Sequence, residues 1–376
     1  MNIERLQLKN FRNIESLNAE VEQSWIVVSG DNAQGKTNLL EALYIASTGQ
    51  SFRKSLIDDL IKDDCEHSMI RCQIIKQNVR HQIDVQLQKN KRIIRVDDKP
   101  LRSLTKLLSL MNIVAFFPDD LMLVKGSPEG RRKFIDRCAM SFYPDSADVF
   151  KAFRRALKER NSILRKCQRQ EQKLDIKLLQ AFDEQLIKYG AKVHQYRKDS
   201  LDELRKYVEH YLLEFNVVKD GVDVTLDPGV PIHDINSFQS SYRRALKENV
   251  QIDQIRGLTT VGPQRSDLFF CLDGKEAKSF ASQGQQRSLV LALKLAELKV
   301  IEEKVGCAPL LLLDDVSSEL DKTRTEYLFK SIEELGCQVW ISTTGSVDLK
   351  IPKENHHFNI INGALNEVQD LDIEEQ

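Results

Sequence analysis

Hydrophobic positions divide the chain into stretches of different period. From the start to about residue 112 they space as strands do. Ile3, Leu6, Leu8 and Phe11 outline a first strand, and Trp25-Ile26-Val27-Val28-Ser29 is a short apolar run that ends at Gly30. Leu40, Leu43 and Tyr44 then recur at helical spacing between 37 and 47. From Met69 to Val96 β-branched residues alternate with polar ones until Asp97-Asp98-Lys99-Pro100 breaks the run, which predicts a meander of antiparallel strands.

Beyond 113 the period turns helical. After the loop Lys125-Gly126-Ser127-Pro128-Glu129-Gly130, residues Phe150, Phe153, Leu157, Leu164 and Cys167 recur at steps of three, four and seven. A longer series leads from Leu179 through Leu186, Val193, Leu201 and Val208 to Phe215. It predicts one or two helices, either an antiparallel hairpin packed through its own seam or a coiled coil for a partner. Strand signals return after about 258, in Pro309 to Leu313 and in Val339-Trp340-Ile341-Ser342.

Composition narrows the classes. The 376 residues are 41% hydrophobic, 30% charged and 7% aromatic, enough for real cores in about two domains. A net charge of -1 means that any nucleic-acid contact must come from local patches. No apolar run reaches the ~20 residues of a membrane helix, and Met1-Asn2-Ile3-Glu4-Arg5 has no signal-peptide core. Seven cysteines, with no C-x-x-C pair, predict reduced thiols in a cytoplasmic protein and no zinc site.

The chemistry is carried by three motifs. Gly30-Asp31-Asn32-Ala33-Gln34-Gly35-Lys36-Thr37 fits G-x-x-x-x-G-K-[ST] between a predicted strand and a predicted helix. Such a loop wraps its backbone around phosphate, with Lys36 reaching the β/γ phosphates of ATP and the Thr37 hydroxyl on Mg²⁺. Leu310-Leu311-Leu312-Leu313-Asp314-Asp315 is the expected second half, Asp314 holding Mg²⁺ and Asp315 orienting or deprotonating the attacking water. The third, Ser282-Gln283-Gly284-Gln285-Gln286, precedes an apolar helical run 32 residues before Asp314. It is a second anion-binding helix end, expected to cap the γ-phosphate held by another protomer through Ser282, Gly284 and Gln285. Lys36 and Asp314 stand 278 positions apart. The ATPase core is therefore expected to form from 1–112 with 258–376, and 113–257 to be a mainly helical lobe inserted into it.

In this order, and followed by Ser317-Ser318-Glu319-Leu320-Asp321, the motifs resemble ABC-type ATPases. Within them the chain resembles the RecF family of bacterial recombinational-repair ATPases, and through it SMC-type proteins. Lys9-Asn10-Phe11-Arg12-Asn13, Phe117-Pro118-Asp119-Asp120-Leu121, Gly126-Ser127-Pro128, Arg131-Arg132-Lys133-Phe134-Ile135-Asp136 and Gly262-Pro263-Gln264-Arg265-Ser266-Asp267-Leu268 carry that likeness. Departures are visible as well. Ala281 and Gln283 replace residues of the usual L-S-G-G-Q, Asp315 replaces a glutamate, Gln264 stands where relatives often have histidine, and Thr344 stands where a switch histidine is usual.

The resemblance implies an α/β, ABC-type fold and a nucleotide contact by Arg12. It implies weak, DNA-stimulated ATPase activity that acts as a timer, and an ATP-dependent homodimer that closes on duplex DNA and single-strand/duplex junctions. It also implies work with RecR and RecO in gap repair, fork maintenance, RecA loading and SOS induction. Nine basic residues against two acidic ones between 151 and 173, and Arg131, Arg132 and Lys133 beside them, are the candidate phosphate contacts, independent of sequence. The rival readings are an ABC-like ATPase of a phage-defence system with a nuclease partner, and a transporter ATPase subunit. The RecF-like segments argue against the first, and the long helical insertion and missing switch histidine against the second.

Overall fold

Ile3 and Leu6 are both fully buried although three positions separate them, because a bulge between Ile3 and Arg5 adds a residue to the first strand. The computed structural model describes residues 1–53, 55–169, 173–232, 237–315, 322–344, 352 and 354–368. It divides into two units, Met1–Asp120 with Arg287–Gln376, and Leu121–Gln286.

The chain opens with β1 (Asn2–Phe11), β2 (Ile14–Glu20), β3 (Trp25–Ser29), α1 (Lys36–Thr48), β4 (His67–Lys76), β5 (Val79–Gln88), β6 (Lys91–Val96) and β7 (Lys99–Pro100). Short α2 (Leu104–Leu110) and β8 (Ile113–Phe116) follow. All but β3 and β8 of these strands form one antiparallel sheet, in the order β2-β1-β4-β5-β6-β7. The alternation read between 69 and 96 is this meander.

The second unit holds α3 (Met122–Lys125), α4 (Pro128–Phe142), α5 (Ser146–Gln168) and α6 (Ile176–Glu214). After β9 (Val222–Asp227) come α7 (Phe238–Glu248), α8 (Val250–Arg256), β10 (Asp267–Leu272), β11 (Lys275–Glu276) and α9 (Ala277–Phe280). The long apolar series is a single helix of 39 residues, about 58 Å at 1.5 Å per residue. Its one glycine, Gly190, is tolerated because the ring of Tyr242 fills the space a Cβ would need, 2.8 Å away. Leu186, Ile187 and Val193 of α6 pack with Phe150, Phe153 and Ala156 of α5 in a closed core with Tyr242. The hydrophobic face is thus spent within the unit, as an antiparallel hairpin requires.

The second unit is not wholly helical. Strands β9, β10 and β11 make a three-stranded antiparallel sheet, and the loop at 262–266 leads into it. Pairing of β10 with β9 draws 258–286 into this unit, and β8 stays with the first, so the division falls at 120 and 286, not at 112 and 257.

The chain returns to the first unit within α10 (Gln283–Val305), then adds β12 (Leu310–Asp314), α11 (Lys322–Leu335), β13 (Val339–Thr343), β14 (Asn355–Ile361) and β15 (Ala364–Glu367). These complete a second sheet, β15-β14-β3-β13-β12-β8, parallel except for the β14–β15 hairpin. Leu310 to Leu313 and Trp340 are fully buried, as expected of parallel strands covered on both faces. The parallel order brings the C-terminal ends of β3 and β12, Ser29 and Asp314, to the same edge, with Ser342 of β13 between them.

Candidate nucleotide site

The loop from Gly30 to Gly35 joins β3 to α1, and Gly35 is the left-handed residue (φ +119°) before the first helical turn. Lys36 is 7% exposed. Its Nζ donates to the carbonyls of Gly30 (2.6 Å) and Asp31 (2.8 Å), so the ammonium lies under the loop. Burial pushes its pKa below the ordinary lysine value, and the carboxylates of Asp315, Asp314 and Asp31 oppose that shift. Asp31, Asn32 and Ala33 at the loop tip are exposed, and Ala33 is left-handed (φ +64°).

Asp314 meets this loop. The Thr37 hydroxyl donates to its Oδ1 at 3.0 Å and the Ser342 hydroxyl to the same oxygen at 2.6 Å. Burial raises the Asp314 pKa above the ordinary carboxylate value, against these two hydrogen bonds and the field of Arg53. A buried carboxylate beside a hydroxyl is a pair of hard oxygen donors suited to Mg²⁺, whose charge would offset the cost of burial. Asp315 follows in a left-handed conformation (φ +49°), its N–H donating to the Ser342 hydroxyl (3.1 Å). Aspartate tolerates that region better than most residues. Ser342 thus braces both acids, a role the run Val339-Trp340-Ile341-Ser342 did not announce. Thr344 lies exposed just beyond β13. Residues 316–321, with the S-S-E-L-D motif, and Gly345 are outside the described residues.

Arg12 is held by hydrogen bonds from its guanidinium. Its Nε and Nη2 donate to the two oxygens of fully buried Glu41 at 3.0 and 2.9 Å, and Nη1 donates to the Asp59 carbonyl at 2.8 Å. Arg12, expected at the nucleotide, thus also clamps α1 through Glu41. Arg53, missed in the sequence, donates to Asn38 Oδ1 at 2.8 Å and lies 3.6 Å from Glu41. No motif marks it; only its contacts reveal it.

The third motif, in the second unit, caps α10. Ser282 N–H donates to Gln285 Oε1 (2.9 Å) and Gln285 N–H to Ser282 Oγ (3.2 Å), a reciprocal capping box. Each side chain accepts from the other residue's backbone amide, so the Ser282 hydroxyl hydrogen and the Gln285 side-chain amide keep their donors for an anion, beside the first-turn amides of Gln283 and Gly284. Ser282 is exposed.

The basic cluster separates into two kinds. Lys151, Arg154, Arg155, Lys158, Arg165, Lys166 and Arg169 are exposed on one face of α5 and the residue after it. Arg160 is fully buried, bonded to Asp183 (2.6 Å), Asp253 (2.6 Å) and Thr259 (2.9 Å). Arg131, 4% exposed, makes a two-pronged ion pair with Asp267 (2.7 and 2.9 Å), and Arg132 donates to the Ser266 carbonyl. Arg160 and Arg131 are structural cations, and Arg132 is half-buried with one bond to the backbone.

Residues 2–359 match the family model described as the RecF/RecN/SMC N terminal domain. The chain is 35% identical over 375 residues to the DNA replication and repair protein RecF of Clostridium novyi (strain NT), covering 98% of this chain and all of that one. It is 36% identical to the protein of the same description from Streptococcus gordonii, over 96% of this chain and 99% of that one. Among solved structures, the recombination mediator protein RecF-ATP in the RecFOR pathway matches with a TM-score of 0.89 at 30% identity, over 98% and 97% of the two chains. An SmcHead bound to the C-winged helix domain of ScpA shares the fold, with a TM-score of 0.56 at 14% identity.

Proposed function

The chain belongs to the RecF family within the RecF/RecN/SMC group, and from that premise we propose that it is an ATP-dependent DNA-binding ATPase of bacterial recombinational repair. The observation that carries the reading is the 3.0 Å contact between Thr37 and Asp314, which unites two nucleotide motifs 277 residues apart. Relatives named as DNA replication and repair proteins, and a solved relative named with ATP in the RecFOR pathway, supply the biological setting.

In this reading the loop 30–37 cradles the phosphates of ATP and Lys36 shifts from the loop carbonyls to the β/γ oxygens. Thr37 and Asp314 would hold Mg²⁺, which neutralises charge on the phosphate oxygens. Asp315 orients the attacking water, and its side chain, shorter than the usual glutamate, together with Thr344 in place of a cationic residue, makes hydrolysis slow. Ser282, Gly284 and Gln285, at the start of α10, face the γ-phosphate of a second protomer, so that ATP bridges a homodimer. The exposed face of α5 from Lys151 to Arg169 is about 27 Å long, the rise of about eight base pairs, and supplies phosphate contacts on duplex DNA and single-strand/duplex junctions. RecR and RecO are the expected partners and the cytoplasm the expected location. Among the described residues no helix is long and apolar enough to cross a membrane.

The test of the assembly is Ser282→Arg. This variant is expected to bind ATP as wild type does and to stay monomeric by light scattering in Mg-ATP. A variant that still dimerises with ATP removes the α10 end from the bridging role.

A further inference from the structure

Both glycines of the phosphate loop are hemmed in by residues distant in sequence. A Cβ on Gly30 (φ +146°) would stand 2.5 Å from the carbonyl oxygen of Ile360. One on Gly35 would stand 2.9 Å from Oδ1 of Asn13. Between them, Gln34 is held from two sides. Its carbonyl accepts from Asn13 Nδ2 (3.0 Å) and from the Gly363 amide (2.9 Å), and its side-chain Oε1 accepts from the Asn362 amide (2.6 Å).

Asn13 joins these parts. Its Oδ1 accepts from Asn38 Nδ2 at 2.8 Å, which ties it to the first turn of α1. Its carbonyl lies where a Cβ on Gly363 (φ +79°) would need to be, 2.5 Å away. Strand β14, which leads into the Asn362-Gly363 turn, is hydrogen-bonded in parallel to β3, which leads into the phosphate loop. The two turns are therefore fixed in register.

The Lys36 ammonium ties the Gly30 and Asp31 carbonyls from below, but the stretch from Asn32 to Gln34 has little support within the loop. Its tip is exposed, and the amide of Gln34 reaches the Asp31 carbonyl only at 3.4 Å. A loop that must present its amides to phosphate binds more tightly if it is ordered beforehand, because ordering on binding subtracts from affinity. We propose that Asn13 and the 360–363 turn of the β14–β15 hairpin form a bracket that holds the phosphate loop in its binding shape, with Asn13 as the positioning residue. The inference rests on reading 30–37 as the nucleotide loop and adds the residues that set its conformation.

Full-length Asn13→Ala and Gly363→Ala test it, each titrated with a fluorescent ATP analogue and a fluorescent ADP analogue in Mg²⁺, alongside thermal unfolding without nucleotide and steady-state hydrolysis. Each variant is expected to bind both nucleotides about tenfold more weakly, the size of one or two lost hydrogen bonds. KM for ATP should rise by the same factor while kcat stays within about twofold. A merely structural role would lower the melting temperature and leave the affinity of the folded protein unchanged. If both variants fold and bind both nucleotides within twofold of wild type, the bracket is refuted. If wild type itself binds neither nucleotide, the reading of the loop fails instead.

Discussion

The nucleotide site and the helical unit use charge in opposite ways. In the site, a few charged groups are buried at the edge of a parallel sheet and held by backbone carbonyls and hydroxyls, as Lys36 is by Gly30 and Asp31 and Asp314 by Thr37 and Ser342. Along α5, seven cations face water, while one member of the same run, Arg160, points inward against two aspartates. Burial decides what a charge does. A buried one is fixed in geometry and costly to disturb, and an exposed one is cheap to place and acts through its field.

That contrast can be pressed hardest in the site. Asp314→Asn is expected to lower ATP hydrolysis by at least about 100-fold. The same change should raise the melting temperature of the nucleotide-free protein near neutral pH. A carboxyl whose folded pKa is raised stabilises the fold below its unfolded pKa, and that contribution is lost as pH rises through the folded pKa. The gain should vanish in acid, where both states of wild-type Asp314 are protonated. Calorimetry across pH checks this, and a variant that melts lower than wild type at pH 7 contradicts it.

The two classes of arginine come next. Arg160→Ala leaves Asp183 and Asp253 facing each other in the interior and should cost about 3–5 kcal/mol, read by denaturant unfolding. Arg154, Arg155 and Lys158 changed together to glutamate should leave stability within about 1 kcal/mol and weaken DNA binding by at least about tenfold for every sequence, with a shallower salt dependence. Unchanged DNA affinity in a folded triple variant would remove α5 from the DNA surface.

The smallest effect concerns His194, stacked on Phe238 at 4.3 Å. Burial, with Arg197 and Lys198 nearby, lowers its pKa to about 4. The unfolded chain binds the extra proton between that value and about 6.5, so stability should rise with pH across this window and be complete above it. After allowance for partial exposure the effect is about 1 kcal/mol, and His194→Phe should abolish it.

Much of this was legible in the chain. The strand ending at Gly30, the helix after Lys36 and the four leucines before Asp314 carry their patterns locally, because phosphate and metal chemistry fix residue types at short spacing. The helices α5 and α6 were readable from apolar period, while their pairing as a hairpin, one of two readings, needed the packing to decide it. What escaped depends on partners far away in sequence. Arg160 looks like its exposed neighbours until Asp183 and Asp253 are brought to it. Arg12 was expected at the nucleotide, and its choice of Glu41 follows only from the packing of β1 against α1. Gly30 and Gly35 are obvious as motif residues, yet the reason nothing larger fits lies at Ile360 and Asn13. Strands β9 to β11 are short, and β10 finds its partner β9 across α7 and α8.

The most direct test of the account is fluorescence anisotropy of a labelled gapped duplex with the full-length protein at moderate salt, in Mg²⁺ with ATP and then with ADP. Tight binding with ATP and loss of binding with ADP is the predicted result. Binding with neither nucleotide, or equal binding with both, would contradict an ATP-controlled hold on DNA.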